Sequence, residues 1–153
     1  MTEHPLTARI ADQLAAPEDI VRRYRPPGWW RQSLAAGALS VALLHIERAR
    51  TERSSWDRAH AWVRLATAGP VDDGPGSHLH HGAPALGFVL HRASTGRPRR
   101  YTRALTILDA RIAATTRHRL DAAHRRIDRP TPRTGRVRRH PRPHRPRRPL
   151  APA

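Results

Sequence analysis

The chain has 153 residues, a length typical of one domain, and its formal net charge is +17 at pH 7. All 29 of its basic residues are Arg, and neither Lys nor Asn occurs, which points to a very GC-rich coding sequence. The absence of Cys excludes disulfides and thiolate metal sites. There is no apolar run of bilayer-spanning length and no signal-peptide core. We therefore expect a soluble, cytoplasmic chain without membrane association.

The hydrophobic periodicity and the turn signals predict six helices and an all-α protein. Pro17 suits the first turn of the second helix, and Ser54 with Asp57 predicts a capping box at the fourth. No period-two run indicates a strand. The predicted segments in chain order are Ile10–Ala15, Pro17–Tyr24, Ser33–Arg50, Ser54 to about Ala68, Ala83–Ala93 and Tyr101–Arg126.

A weak internal repeat relates the third and fifth predicted helices. Gly37 and Gly82, 45 residues apart, each precede Ala and an apolar helix. Glycine there lets the backbone turn sharply and approach a neighbour closely. The third helix is apolar on most sides, which favours burial inside a larger assembly. Two copies are fewer than the three that a helical array generally needs.

The composition changes abruptly after residue 128. Residues 129–153 contain 16 Arg or Pro and no acidic residue, whereas residues 1–128 form the helical body with a net charge of +8. Such a segment cannot bury enough apolar surface to fold, so a disordered basic C-terminal tail is expected. Its charge would give non-specific nucleic-acid binding through phosphate contacts.

The body resembles the N-terminal part of lanthionine synthetase C-like proteins, the lanthipeptide cyclase family, over roughly residues 5–128. The most specific pieces are the helix openings at Gly37 and Gly82 and their spacing. The resemblance implies a partial α/α toroid of helix-hairpin repeats around a zinc-bearing cavity, with a precursor peptide as partner. The segments that carry it are SLAAGALSVALLHIERA, AHAWVRLATAGPV, HHGAPALGFVLHRAS and YTRALTILDARIAATTRHRLDAAHRRID.

The resemblance also implies a reaction that this chain is not expected to perform alone. Members of the family add a cysteine thiol across a dehydroamino acid of the precursor peptide, which closes a (methyl)lanthionine thioether ring. Two Cys and one His of the family hold the catalytic zinc, and these residues lie late in the family sequence. The chain has no Cys. We therefore assign no catalytic, cofactor-binding or metal residue, and we expect a truncated, inactive protein.

The tail can encode the missing element in the neighbouring reading frame. A shift of one base from Arg129 permits GRPPALAEFDVIHGLTGLGAL, which matches the family's next inner helix. His140 and His144 then become codons for Ile or Thr, as the pattern requires, and a glycine over Arg142 would open a third repeat. We therefore expect a frameshift near codon 128, and the nucleotide sequence tests it.

A cluster of histidines offers a different metal site. His78, His80 and His81 are close in sequence, and Asp72 and Asp73 lie nearby. Such clusters bind zinc or nickel. No thiol or carboxylate stands at a recognisable ligand spacing, so we favour a solvated loop before the fifth helix.

Two functions other than the family reaction remain open. Trp29 and Trp30 beside Arg31 resemble a stacking platform for single-stranded nucleic acid, although paired Trp residues more often pack over the end of a helix. With the tail, they make a small basic nucleic-acid-binding protein with an Arg/Pro-rich arm the alternative function. A non-catalytic docking protein that binds a precursor peptide is the third candidate.

Overall fold

The computed structural model describes residues 4–23, 30–96 and 100–128, and these residues contain six α-helices. Their bounds are α1 Pro5–Gln13, α2 Pro17–Arg23, α3 Ala38–Arg50, α4 Trp56–Ala66, α5 Ala83–Ser94 and α6 Thr102–Ile127. Strand-like pairing within these residues is limited to isolated bridges from His81 to Ser33 and to His78. The all-α prediction is therefore confirmed for the described part of the chain. No helix found there is long and apolar enough to cross a bilayer.

The first helix begins earlier than the predicted start at Ile10. The His4 imidazole caps α1 because its Nδ1 accepts a hydrogen bond from the Leu6 amide at 3.2 Å. Pro5 fills the first helical position, where its fixed φ is favourable and its missing N–H costs nothing. The prediction of this start was wrong because His is not among the usual N-cap residues.

The third helix begins later than predicted, at Ala38 rather than Ser33. The Ser33 hydroxyl accepts hydrogen bonds from the amides of Ala35 and Ala36, each at 3.1 Å, and so holds a turn before the helix. A serine side chain that bonds the nearby backbone competes in this way with the helix. The apolar residues before Ala38 thus belong to a loop, in which Leu34 packs against the core and Ala35 and Ala36 are exposed.

The fourth helix is capped by Ser55, so the predicted capping box at Ser54 is wrong by one residue. The Ser55 hydroxyl accepts from the Asp57 amide at 3.0 Å and lies 3.1 Å from the Asp57 carboxylate. Its φ and ψ are extended, as an N-cap requires. The Ser54 hydroxyl is buried without a hydrogen-bond partner.

The core lies between α3, α4, α5 and α6. Helix α3 packs against both α4 and α5, α5 packs against α6, and α2 adds contacts to α4. The Trp62 side chain is fully buried, and its indole N–H donates to the Leu14 carbonyl at 2.8 Å. The buried cluster is Ala38, Leu39, Ala42, Ile46, Ala59, Trp62, Ala66, Ala83, Ala85, Leu86, Val89, Leu90, Ala93, Leu105 and Leu108.

Helix α6 covers the core only over its first half. Leu105 and Leu108 are buried against α5, and the Arg119 guanidinium donates to the carbonyls of Pro75, at 2.6 Å, and Ser77. From residue 120 the helix is almost entirely exposed. The predicted basic tail and its frameshift, at residues 129–153, lie outside the described residues.

Candidate functional site

Two glycines place the N-terminal ends of α3 and α5 against neighbouring backbone. A Cβ atom at Gly37 would overlap the Trp30 carbonyl oxygen, and one at Gly82 would overlap the Asp72 carbonyl oxygen. Gly82 also has a φ of +75°, which favours glycine. Both residues are the N-caps of their helices. The predicted close approach at the two helix openings is therefore confirmed.

A buried glutamine joins the loops that precede these two helices. The Gln32 side chain donates to the Pro70 carbonyl at 2.7 Å and accepts from the Asp72 amide at 2.8 Å. Its own carbonyl accepts from the Gly82 amide at 3.1 Å. Sequence reasoning missed Gln32, because nothing local indicates that its side-chain amide will bond two backbone groups 38 and 40 residues away.

The structure brings together one residue from each of the predicted candidate clusters. The His81 imidazole Nε2 lies 3.2 Å from the Asp72 carboxylate, and the His81 ring lies edge-on to the Trp30 ring, with 5.2 Å between the centroids. Both the His81 and the Asp72 side chains are partly exposed. The three side chains form one small surface in front of α3 and α5.

The histidine loop has the geometry of a tight turn. His78 and His81 exchange two backbone hydrogen bonds, at 3.0 and 2.8 Å, and the His78 Nδ1 accepts from the His80 amide at 3.2 Å. One ring nitrogen of His78 is thus used by the turn, and one of His81 by Asp72. The His78 and His80 side chains are exposed, which agrees with the interpretation of a solvated loop at a helix start.

The zinc that the family resemblance implies does not fit the residues present. The chain has no Cys, and no group of three or more His, Cys, Asp or Glu in the described segments could hold a metal ion. No catalytic step through zinc can therefore be assigned to these residues.

The predicted stacking platform is only partly described. Trp30 is 58% exposed. Its backbone carbonyl lies against Gly37 at the beginning of α3, the helix end over which paired Trp residues were expected to pack. Trp29 lies outside the described residues. The Trp30 ring contacts the His81 ring, and more than half of the residue stays exposed.

An ion-pair cluster joins α3 and α5 at their C-terminal ends. The Glu47 carboxylate lies 2.8 Å from the Arg92 guanidinium and 3.0 Å from that of Arg50. The offset of 45 residues that relates Gly37 to Gly82 also relates Glu47 to Arg92. The 45-residue offset could therefore have predicted the Glu47–Arg92 ion pair from the sequence.

A second cluster lies where α4 meets the start of α6. The Arg100 guanidinium lies 4.3 Å from the centroid of the Trp56 ring and 3.2 Å from the His60 Nε2. Burial, assisted by the Arg100 charge, lowers the pKa of His60. Burial also raises the pKa of Tyr101, whose φ of +61° places it in the left-handed region. The strained Tyr101 backbone turns the chain into α6.

No family model, curated protein or solved structure matches this chain. The resemblance to lanthionine synthetase C-like proteins therefore stays a prediction from the sequence.

Proposed function

We propose that residues 5–128 belong to a lanthionine synthetase C-like α/α toroid, in which α3–α4 and α5–α6 form two successive helical hairpins. The observation that supports this function is the matched pair of glycine-capped helices α3 and α5. Each begins 45 residues from the other, and each approaches backbone so closely that its N-cap excludes a side chain. A repeat of this kind needs the same close approach at every inner helix.

The helix contacts agree with the order of elements in such a ring. Helix α3 packs on α4, α5 packs on α6, and α3 packs beside α5, where Glu47 bridges to Arg92. In a ring of hairpins, the first helix of each hairpin lies beside the first helix of the next. Helices α3 and α5 would then line the inner ring, and α4 and α6 the outer ring.

The proposed role of this chain in the reaction is structural. The family forms a thioether when a cysteine sulfur bonds to the β-carbon of a dehydroamino acid and a proton is added at the α-carbon. Zinc would lower the pKa of that thiol, but the residues that hold it are not among the 153 of this chain. The chain alone is therefore proposed to be inactive in ring closure.

The reading frame provides the test. The nucleotide sequence, displaced by one base after codon 128, should encode a third glycine-capped helix and then Cys and Cys-His. A gene restored to that frame should give a protein that binds zinc and cyclises a dehydrated precursor peptide, whereas the 153-residue chain should do neither. An immediate stop codon in the displaced frame, or a frame without Cys, would refute the proposal.

Nucleic-acid binding is the second candidate, and one surface favours it. Arg103, Arg117 and Arg125 are exposed on one face of α6, which leads into the Arg-rich residues 129–153. Affinity for an oligonucleotide should fall steeply with salt, and deletion of 129–153 should weaken it. Discrimination between sequences that survives this deletion would favour a specific nucleic-acid-binding body. A uniform loss would show only generic attraction of charge.

A further inference from the structure

An apolar groove of about 360 Å³ lies between α4 and α6. Its floor is formed by Leu86 and Leu90 of α5, and one wall by Val63 of α4 with Thr67 and Val71, which follow that helix. The other wall is formed by Tyr101, Ala104, Ile107, Leu108 and Arg111. The groove is therefore lined by three helices and by the beginning of the loop between α4 and α5.

The apolar surface continues out of the groove along α6. Ile107 is 46% exposed, and together with Tyr101 and Ala104 it also lines a neighbouring open cavity. Residues 101–111 of α6 span about 15 Å along the helix axis. This length matches about three turns of a second helix. A groove of this shape suits an amphipathic helix, which inserts apolar side chains spaced three or four residues apart.

The charges at the groove are of one sign. Arg103 and Arg111 are the charged residues among those that line the two cavities, and no carboxylate lines either of them. The Arg111 guanidinium lies 3.2 Å from the Asp73 carboxylate, but both side chains are about half exposed. An ion pair this exposed contributes little, so Arg111 can exchange Asp73 for another carboxylate. The net charge of +17 adds a long-range attraction for anionic partners.

We propose that this groove binds an acidic amphipathic helix of a partner protein. The apolar side of that helix would contact Val63, Ile107 and Leu90. Arg103 and Arg111 are two turns apart, about 12 Å along α6, and would pair with carboxylates about two turns apart on the partner. The proposal is independent of the toroid and of thioether chemistry.

Synthetic peptides test the proposal with the full chain. The probe is a fluorescent peptide of about eleven residues, with Leu at positions i, i+3, i+4 and i+7 and Glu on both flanks. A counterpart with Ser in place of each Leu has the same charge, so it measures the background from the Arg-rich residues 129–153. The Leu peptide is expected to bind about tenfold more tightly or better, by fluorescence anisotropy. Equal binding of the two peptides would overturn the proposal.

Substitutions at the groove, each with a matched control, test whether the peptide binds there. Ile107→Asp and Arg103→Glu are expected to weaken binding of the Leu peptide by about tenfold. The controls Leu120→Asp and Arg117→Glu make the same chemical changes at exposed sites on α6 beyond the groove, and should stay within about twofold of the unchanged chain. Circular dichroism verifies the fold of each variant.

An equal loss in the variants and their controls would overturn the groove as the site. A dimer of the chain that Ile107→Asp dissociates would also overturn the proposal, because the groove would then be occupied by a second copy.

Discussion

Alanine substitutions at four glycines separate two costs in the free energy of unfolding, namely backbone strain at positive φ and steric overlap of the added Cβ atom. Gly37 has an extended φ but no room for a Cβ, and Gly96 has a φ of +74° with nothing within 4 Å of its Cβ position. Gly82 combines both constraints, and Gly76 has neither. The four sites therefore form a two-by-two comparison of backbone strain and steric overlap.

The expected changes in the free energy of unfolding follow from these geometries. Gly76→Ala should be neutral or stabilise by about 0.4–1 kcal/mol, because alanine restricts the unfolded chain. Gly96→Ala should cost about 1 kcal/mol, since left-handed strain exceeds that gain. Gly37→Ala should cost about 1–3 kcal/mol or more, because the Trp30 carbonyl must move. Gly82→Ala should cost the most, about 2–4 kcal/mol, as the sum of both effects.

Urea unfolding followed by far-UV circular dichroism measures the four values. The decisive comparison is Gly37→Ala against Gly96→Ala. If Gly37→Ala costs no more than Gly96→Ala, the backbone does not approach the start of α3 as described, and the central support for the paired inner helices is lost. A Gly82→Ala variant as stable as Gly96→Ala would contradict the overlap with Asp72 in the same way.

Three further predictions concern single contacts. The buried His45 imidazole bonds the Leu14 carbonyl at 2.9 Å, its Nδ1 has no hydrogen-bond partner, and burial lowers its pKa. The free energy of unfolding should therefore fall as the pH drops below about 6.5. Urea unfolding at each pH should show a smaller fall for His45→Gln. Ser55→Ala should lower the free energy of unfolding by about 1 kcal/mol because α4 loses its cap, whereas Ser54→Ala should be neutral or stabilising. A larger loss for Ser54→Ala than for Ser55→Ala would restore the rejected capping box at Ser54. A double-mutant cycle of Glu47→Gln and Arg92→Gln should give a coupling energy of about 0.5–1 kcal/mol, because the ion pair is half exposed. A coupling energy of zero would contradict the bridge between α3 and α5.

The sign of the His45 prediction follows from proton linkage. The unfolded chain binds a proton at an ordinary histidine pKa, whereas the folded protein binds it only at lower pH. The stabilisation is therefore complete above the unfolded pKa and is lost as pH falls towards the folded one. His60, whose pKa is also lowered, acts in the same direction.

Local patterns in the sequence were enough to predict the six helices and the close backbone approach at Gly37 and Gly82. Apolar residues at helical spacing predicted α5 and α6 to within one residue at each end, because a long amphipathic pattern has one low-energy local solution. The starts of α1, α3 and α4 were misplaced because side chains decided them. His4, Ser33 and Ser55 each bond a particular amide, and propensity alone does not distinguish such a bond from its neighbours.

Which distant residues come into contact depends on the tertiary packing of the helices. The Gln32 amide between two loops and the Arg100 side chain on Trp56 and His60 depend on how the helices pack. The same holds for the groove between α4 and α6, because a concave surface belongs to no single helix. Local sequence patterns thus predicted a strongly basic, cysteine-free chain whose described part is helical, with a glycine before each of α3 and α5. The packing decided the rest, since contacts across 40 residues depend on the arrangement of whole helices and are not encoded in a local period.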